Sequence, residues 1–295
     1  MKLNNVVRKV ATVTSVAGLM VAGVFAVPAA HAARSTVVIH ETNAFTSLNT
    51  GTPDTNLTTN TDIAYMTGMG FNYYDDKKNL VANTVLGSYK VVKNKSNDFQ
   101  VQWTVNPGRV WSDGTPIDAR DMLMGHVLSS SAYSKAAGLG DPNDDKNPPA
   151  FNSLGYGGTY DSHIVGLPTI SADGMSVTLQ FDAPIPNWEL YGPGISPSYT
   201  VLEIANGLKG LQSVADNNKA KDAVVKAIQS KDTATLKKMA KVWNEAYNIT
   251  TIDSSTNPLL LVSNGAYLVK SAVKDQSVTL VPNPKYNSGP KTTGA

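Results

Sequence analysis

Three sets of residues have types and spacings that could do chemistry. Ser271-Ala-Val-Lys274 fits S-x-x-K, and Lys291-Thr-Thr-Gly294 comes within one residue of K-T-G; together these are signatures of serine acyl-enzymes. That chemistry needs the serine at a helix start with its lysine one turn later. Here the flanks, AYLVK and SVTLV, are strand-like, no S-D-N stands between, and no G-x-S-x-G elbow occurs, so no catalytic residue is assigned. Asp141, Asn143 and Asp145 occupy positions 1, 3 and 5 of a calcium loop, but Lys146 replaces its glycine and Asn152 its bidentate glutamate. The segment reads as a solvated acidic loop. His40, His126 and His163 show neither H-x-x-x-H nor H-E-x-x-H spacing, so the reading contains no metal site and no cofactor. His126 falls beside an apolar stripe and reads as structural. The third set is aromatic: Tyr65, Phe71, Tyr73, Tyr74, Tyr156, Tyr160, Trp188, Tyr191 and Tyr199 sit among Gly and Pro in predicted loops. Rigid rings there can line a ligand cleft or pack beneath long loops.

The elements that would position these groups follow from periodicity. Thr36 to His40, TVVIH, is β-branched and predicts a buried strand, emptying into a polar loop over 41–60. Phe99, Val101, Trp103 and Val105 alternate with polar residues, the period of a half-buried strand. RVWSDGTPIDARDMLMGHVLSS, Arg109 to Ser130, reads as strand, turn and capped helix in succession. Asp113-Gly114 makes the turn, because glycine tolerates positive φ. Asp118 is the expected N-cap with Asp121 three residues on, Ala119, Met122, Leu123 and Val127 share one apolar face, and Trp111 fills the space beneath. Residues 164–181 predict a hairpin turning at Asp173-Gly174, with Val177, Leu179 and Phe181 inward. Helices are predicted over 219–247, with Ala223, Val224 and Ile228 on one face, a break near Asp232-Thr233, and Leu236, Met239, Ala240 and Trp243 on the next face. Alternating strands return over 267–281. Strands, helices and strands again predict an α+β or mixed α/β architecture.

The compartment is read from the first residues. A short basic start (Lys2, Arg8, Lys9), an apolar run from Val10 to Val27 and Ala30-His31-Ala32 fit an export signal cut after Ala32. That segment carries three of the 25 Lys and Arg and none of the 23 Asp and Glu, so without it the net charge falls from +2 to −1. No overall basic field then remains to suggest nucleic acid. The chain has no cysteine, which rules out disulfides, thiolate metal sites, a cysteine nucleophile and the cysteine of a lipid-anchored signal. The expectation is an exported protein, periplasmic or extracellular, without a lipid anchor.

Three separated stretches together resemble the extracellular solute-binding proteins of family 5, the peptide-, nickel- and sugar-binding receptors of ABC importers. FQVQWTVNPGRVWSDGTPIDARDML is similar to that family's strand, W-S-D-G-T-P turn and helix start. NGAYLVKSAVKDQSVTLVPNPKY is similar to its G-x-Y strand and N-P-x-Y, and NAFTSLNT to its S-L-(D/N) loop. The resemblance implies a two-lobed clamp that closes on a ligand and is then read by a membrane permease, with no bond made or broken. Peptides would lie extended, held by main-chain hydrogen bonds. It further implies a signal peptide over 1–32 and, over 33–295, one periplasmic-binding-protein-like lobe whose outer subdomain, roughly 57–165, is inserted in an inner one; the second lobe is missing. Carried over motif by motif, the pocket contacts are Phe45 after the first strand, Asn264 and Gly265 of N-G-A-Y, and Tyr286 of N-P-x-Y. The implied partners are a peptide or other small solute and an ABC permease, with the chain a monomer. Two readings of other classes stay open: an exported hydrolase without a recognisable motif, and a surface adhesion module suggested by Asn, Ser and Thr richness.

Overall fold

The computed structural model describes residues 36–290. The export segment expected at 1–32 and the K-T-G-like Lys291–Gly294 lie outside the described residues. The chain divides into two units, and of the first only Thr36–His40 is described. Those residues form no regular element, and Val37, Val38 and Ile39 are 80%, 72% and 72% exposed. The expected buried strand is therefore corrected. A β-branched run gains from a strand only where a ladder partner and a packed face exist, and no described strand pairs with this one.

The second unit runs from Glu41. Its first regular element is α1 (Thr58–Thr67), which starts inside the stretch predicted as loop and buries Thr59 and Asn60 rather than an apolar stripe. A short hairpin follows, β1 (Asn72–Tyr74) with β2 (Leu80–Ala82). The long strands β3 (Gly87–Lys95) and β4 (Asp98–Val105) pair antiparallel. β4 buries Phe99, Val101, Trp103 and Val105 as their alternation predicts. Three short helices then cross the chain, α2 (Leu123–Val127), α3 (Ser131–Ala136) and α4 (Thr159–His163). β5 (Thr169–Ile170) and β6 (Ser176–Phe181) form the predicted hairpin and complete a sheet of order β3-β4-β6-β5. Trp103 faces Val177 and Phe99 faces Phe181 across its central pair.

Three further helices follow: α5 (Ser198–Ala205), α6 (Val214–Ser230) and α7 (Thr233–Glu245). α6 ends at Lys231 in the left-handed region, and Asp232 caps α7 by accepting from Thr235 N, which is the predicted break. α7 buries the four predicted residues. In α6 Val224 and Ile228 are buried but Ala223 is exposed, a correction. The buried stripe instead runs through Asn217, Lys221, Val224 and Ile228, and Ala223 lies 100° of helix rotation to its side. The last sheet is a separate hairpin, β7 (Tyr267–Val273) with β8 (Ser277–Pro282). Ser271 lies within β7, so the S-x-x-K serine stands on a strand.

Most buried apolar residues join one cluster that unites β4, β6, the Trp111–Val127 corner and α5 to α7. A second, small cluster of Phe45, Ile252, Val269 and Ala272 sits by β7. The architecture is mixed α/β, as the order of elements predicts.

Candidate functional site

The W-S-D-G-T-P corner is built as its sequence predicts. Gly114 turns at φ +93°. Asp118 and Asp121 form a reciprocal capping box, each carboxylate accepting from the other end's backbone N–H. Trp111 is 2% exposed beneath it. The corner is then fastened to residues far along the chain. Ser112 N donates to Ser263 O at 2.8 Å, and Ser263 N donates back to Ser112 Oγ at 3.1 Å. Val110 N donates to Asn287 Oδ1, and Asn287 Nδ2 donates to Gly108 O at 2.7 Å. The W-S-D-G-T-P stretch is thus bonded to Ser263 and Asn287, the two residues that flank Asn264–Tyr286.

The first stretch, Asn43 to Thr50, is held by Asn60 of α1. The Asn60 Oδ1 accepts from Thr46 N and Ser47 N, and its Nδ2 donates to Thr46 Oγ1 and Thr55 O. Ser47 Oγ donates toward Tyr247 O at 3.1 Å, tying this loop to the chain just after α7.

Three of the four predicted contact residues converge on one short segment, Thr67 to Gly70, at the end of α1. Asn264 is 4% exposed. Its Oδ1 accepts from Met69 N at 3.0 Å and its Nδ2 donates to Met69 O at 2.9 Å, so both ends of its amide hold that backbone. Gly265 N donates to Thr67 O at 2.7 Å, and a Cβ on Gly265 would run into the Thr67 carbonyl. Only glycine allows that approach. Tyr286 is half-buried, donates from its hydroxyl to Pro290 O at 3.0 Å and stands by Met69 and Gly289. Burial and the neighbouring Tyr73 push its phenol upward. Phe45 is apart from these three, 7% exposed in the small apolar cluster with Ile63 of α1 packed alongside.

The aromatic set divides by burial. Phe71, Tyr160 and Tyr199 are core residues, whereas Tyr65 and Tyr74 are 58% and 55% exposed, the Tyr65 hydroxyl donating to Tyr74 O and accepting from Tyr74 N. Trp188 packs edge-on against Tyr89, Phe99 and Trp103.

A half-open cavity of about 190 Å³ is lined by residues of the first and last stretches and by Met124, which directly follows the second. Leu48 and Asn49 come from the first stretch, Ser263 directly precedes Asn264, Val269 follows it, and Thr67, Met124 and Trp243 complete much of the wall. Sequence reasoning missed this group. Its members are ordinary apolar and hydroxyl residues brought together across about 200 positions, and the sole available signal was their place within or beside the family-like stretches.

The buried titratable groups serve the scaffold. Lys221 Nζ donates to Asp121 Oδ2 at 2.6 Å, to Asp118 Oδ2 at 3.5 Å and to Pro116 O. Burial pushes the Asp121 carboxyl up to about 6 against the pull of Lys221. His126 meets the Tyr160 hydroxyl at 3.0 Å through Nδ1, and burial pushes it down to about 4, fitting the structural role read from its position. Glu203 is 3% exposed with one carboxylate oxygen unpartnered, and burial, followed by the charges of Asp113 and Asp216, pushes it up to about 7. Asp141 pairs with Lys135 at 2.8 Å. Among the described residues no group of three or more His, Asp or Glu is placed to hold a metal ion, and no helix is long and apolar enough to cross a membrane.

No family model matches the chain, and none of the curated proteins does. Solved structures do. The periplasmic EDTA-binding protein EppA aligns over 85% of this chain and 36% of its own, at TM-score 0.53 and 19% identity. The oligopeptide-binding protein of Thermus thermophilus, solved with a pentapeptide, covers 78% of this chain and 34% of its own, at TM-score 0.43 and 17% identity. The Escherichia coli murein tripeptide-binding protein MppA covers 84% and 38%, at TM-score 0.43 and 16% identity. All three are binding proteins by name, and the chain spans little more than a third of their length. The resemblance first seen in three short stretches therefore extends to the backbone: the chain has the fold of part of a periplasmic solute-binding protein.

Proposed function

We propose that this chain is one lobe of the substrate-binding component of an ABC importer for peptides, which captures its ligand in an interlobe cleft and delivers it to a membrane permease. The supporting observation is the half-open cavity lined by residues of the first and last family-like stretches, with Met124 directly after the second, on a scaffold that shares the backbone fold of a periplasmic binding protein. At about 190 Å³ it is smaller than the several hundred Å³ common for enclosed ligand sites. One wall of a two-walled cleft has this character. In this reading Tyr286 meets the ligand at the surface, Asn264 and Gly265 hold Thr67 to Gly70, of which Thr67 lines the cavity, and Phe45 packs beside Ile63 of α1. The lobe spans 33–295, with a segment of roughly 57–165 as its outer part. Export to the periplasm or cell exterior, without a lipid anchor, and action as a monomer complete the proposal.

The test is calorimetric titration of the full chain with dipeptides to pentapeptides and with EDTA, the ligand named for the fold-sharing EppA. Saturable but weak binding is expected, lowered about tenfold by Ser263→Leu, which fills the cavity. Submicromolar affinity would overturn the half-cleft reading. Turnover of a ligand, abolished by one carboxylate substitution, would replace it with a hydrolase.

A further inference from the structure

A second half-open cavity, of about 400 Å³, adjoins the one already described. Three parts of the chain give neighbouring residues to both. Asn49 lines the smaller cavity and Gly51 the larger, and the same division holds for Met124 and Gly125 and for Ser196 and Gly194. Trp243 of α7 lines both and is their shared wall. Close backbone approach makes this possible. A Cβ on Gly51 would stand 2.9 Å from the Trp243 ring, and one on Gly125 would stand 2.8 Å from Gly194 N. Glycine at both positions lets the loops close in around the indole.

The lining of the larger cavity selects by chemistry. Its volume falls in the range common to ligand sites, and none of its lining residues is charged. Leu154 and Leu190 stand in it 47% and 50% exposed, with the half-buried Tyr191 beside them. An ammonium or carboxylate entering this space would give up water without meeting a counter-charge. An aliphatic or aromatic group would instead gain by covering the two leucines. The backbone supplies direction. Gly194 is exposed, a Cβ placed on it would meet nothing, and neither its N–H nor its C=O makes a backbone hydrogen bond among the described residues. That unit is open to pair with the main chain of an extended peptide, whose side chains then drop into the cavities that meet at Trp243.

Resting on the peptide-binding reading above, we propose that the larger cavity is a side-chain subsite that selects peptides carrying a bulky uncharged residue, leucine or phenylalanine, over those carrying a charged one. The experiment titrates the full chain with Ala-Leu-Ala, Ala-Phe-Ala, Ala-Ala-Ala, Ala-Lys-Ala and Ala-Glu-Ala by ligand-observed NMR, which reads weak affinities. It is repeated with Leu154→Lys. That position is exposed, and its backbone bond to Gly51 O does not depend on the side chain, so the fold is kept, as circular dichroism checks. The leucine and phenylalanine peptides are expected to bind at least about tenfold more tightly than the other three. In Leu154→Lys that margin should vanish and Ala-Glu-Ala should overtake Ala-Lys-Ala. Equal affinity for all five peptides, or an unchanged order in Leu154→Lys, would overturn the subsite and leave the peptide-binding reading standing. Binding of none of the five would overturn that reading, and the subsite with it.

Discussion

The large apolar cluster and the small one beside β7 hold the same unit by different means. The large cluster fills the space between a four-stranded sheet and helices with fully buried residues such as Trp103, Leu123 and Leu236. The small cluster has four buried members and leans on side-chain amides: Asn60 clamps the first loop, Asn264 clamps Met69, and Asn283 donates to Gly265 O. Apolar bulk couples everything it touches into one cooperative event, whereas a few directed bonds can open one at a time. The difference teaches that the proposed ligand-facing segment is attached to the softer of the two regions.

That contrast is broken most forcefully at Lys221, which holds charge inside the large cluster. Lys221→Ala strands the Asp121 carboxylate and should cost about 3–5 kcal/mol in urea unfolding at pH 8, a global loss. Lowering the pH below 6 should recover part of it, because Asp121 can then take a proton. An unchanged urea midpoint at pH 8 would count against the network.

The next effect is a pH slope of roughly 3 kcal/mol from Glu203. Its carboxyl, normally near 4.5, is pushed up to about 7 in the folded chain, so the folded state binds the extra proton between those values. Its contribution is full below 4.5 and lost as pH rises through 7. His126 acts in the opposite sense, being pushed down to about 4 from 6.5, and favours folding as pH rises across that window. Asp121, raised from 3.8 to about 6, acts in the same sense as Glu203, so denaturation midpoints should fall from pH 4.5 to about 7 and level off above it. In Glu203→Gln they should stay nearly level, because Asp121 and His126 then act in opposite senses over the same window. A parallel profile in the two proteins would remove Glu203 from the account.

In the softer region Asn264→Ala should cost about 1–3 kcal/mol by unpairing the Met69 N–H and carbonyl. Its signature is local. Hydrogen exchange should accelerate at Met69 and Gly70 well before it does in β4, and uniform acceleration would erase the distinction between the regions. The smallest effect is about 1 kcal/mol from Asp232→Ala, which removes the α7 cap and should lower the thermal midpoint by a few degrees.

What sequence could tell follows the same division. The capping box at Asp118, the alternation of β4, the hairpin at Asp173-Gly174 and the buried face of α7 were all legible, because each is written in a local period or a turn residue. α1 was not, since its inward residues are Thr59 and Asn60 and leave no apolar rhythm. TVVIH misled for the converse reason: composition favours a strand, but pairing decides. Asn264 and Gly265 were singled out as pocket contacts from the resemblance, and their bonds to Met69 and Thr67 could not be foreseen from sequence spacing. Nor could the Ser112–Ser263 exchange or the cavity beside it, which depend on residues meeting across most of the chain.

Those long ties set an order of events in time. Met69 and Asn264 are 195 positions apart, Ser112 and Ser263 are 151, and Asn83 and Ser288 are 205. A chain made N-terminus first must hold the end of α1 and the W-S-D-G-T-P corner waiting until its last stretch arrives. The region around β7 should be the late, slow phase of refolding, and the interval before it closes is when a chaperone has most to protect.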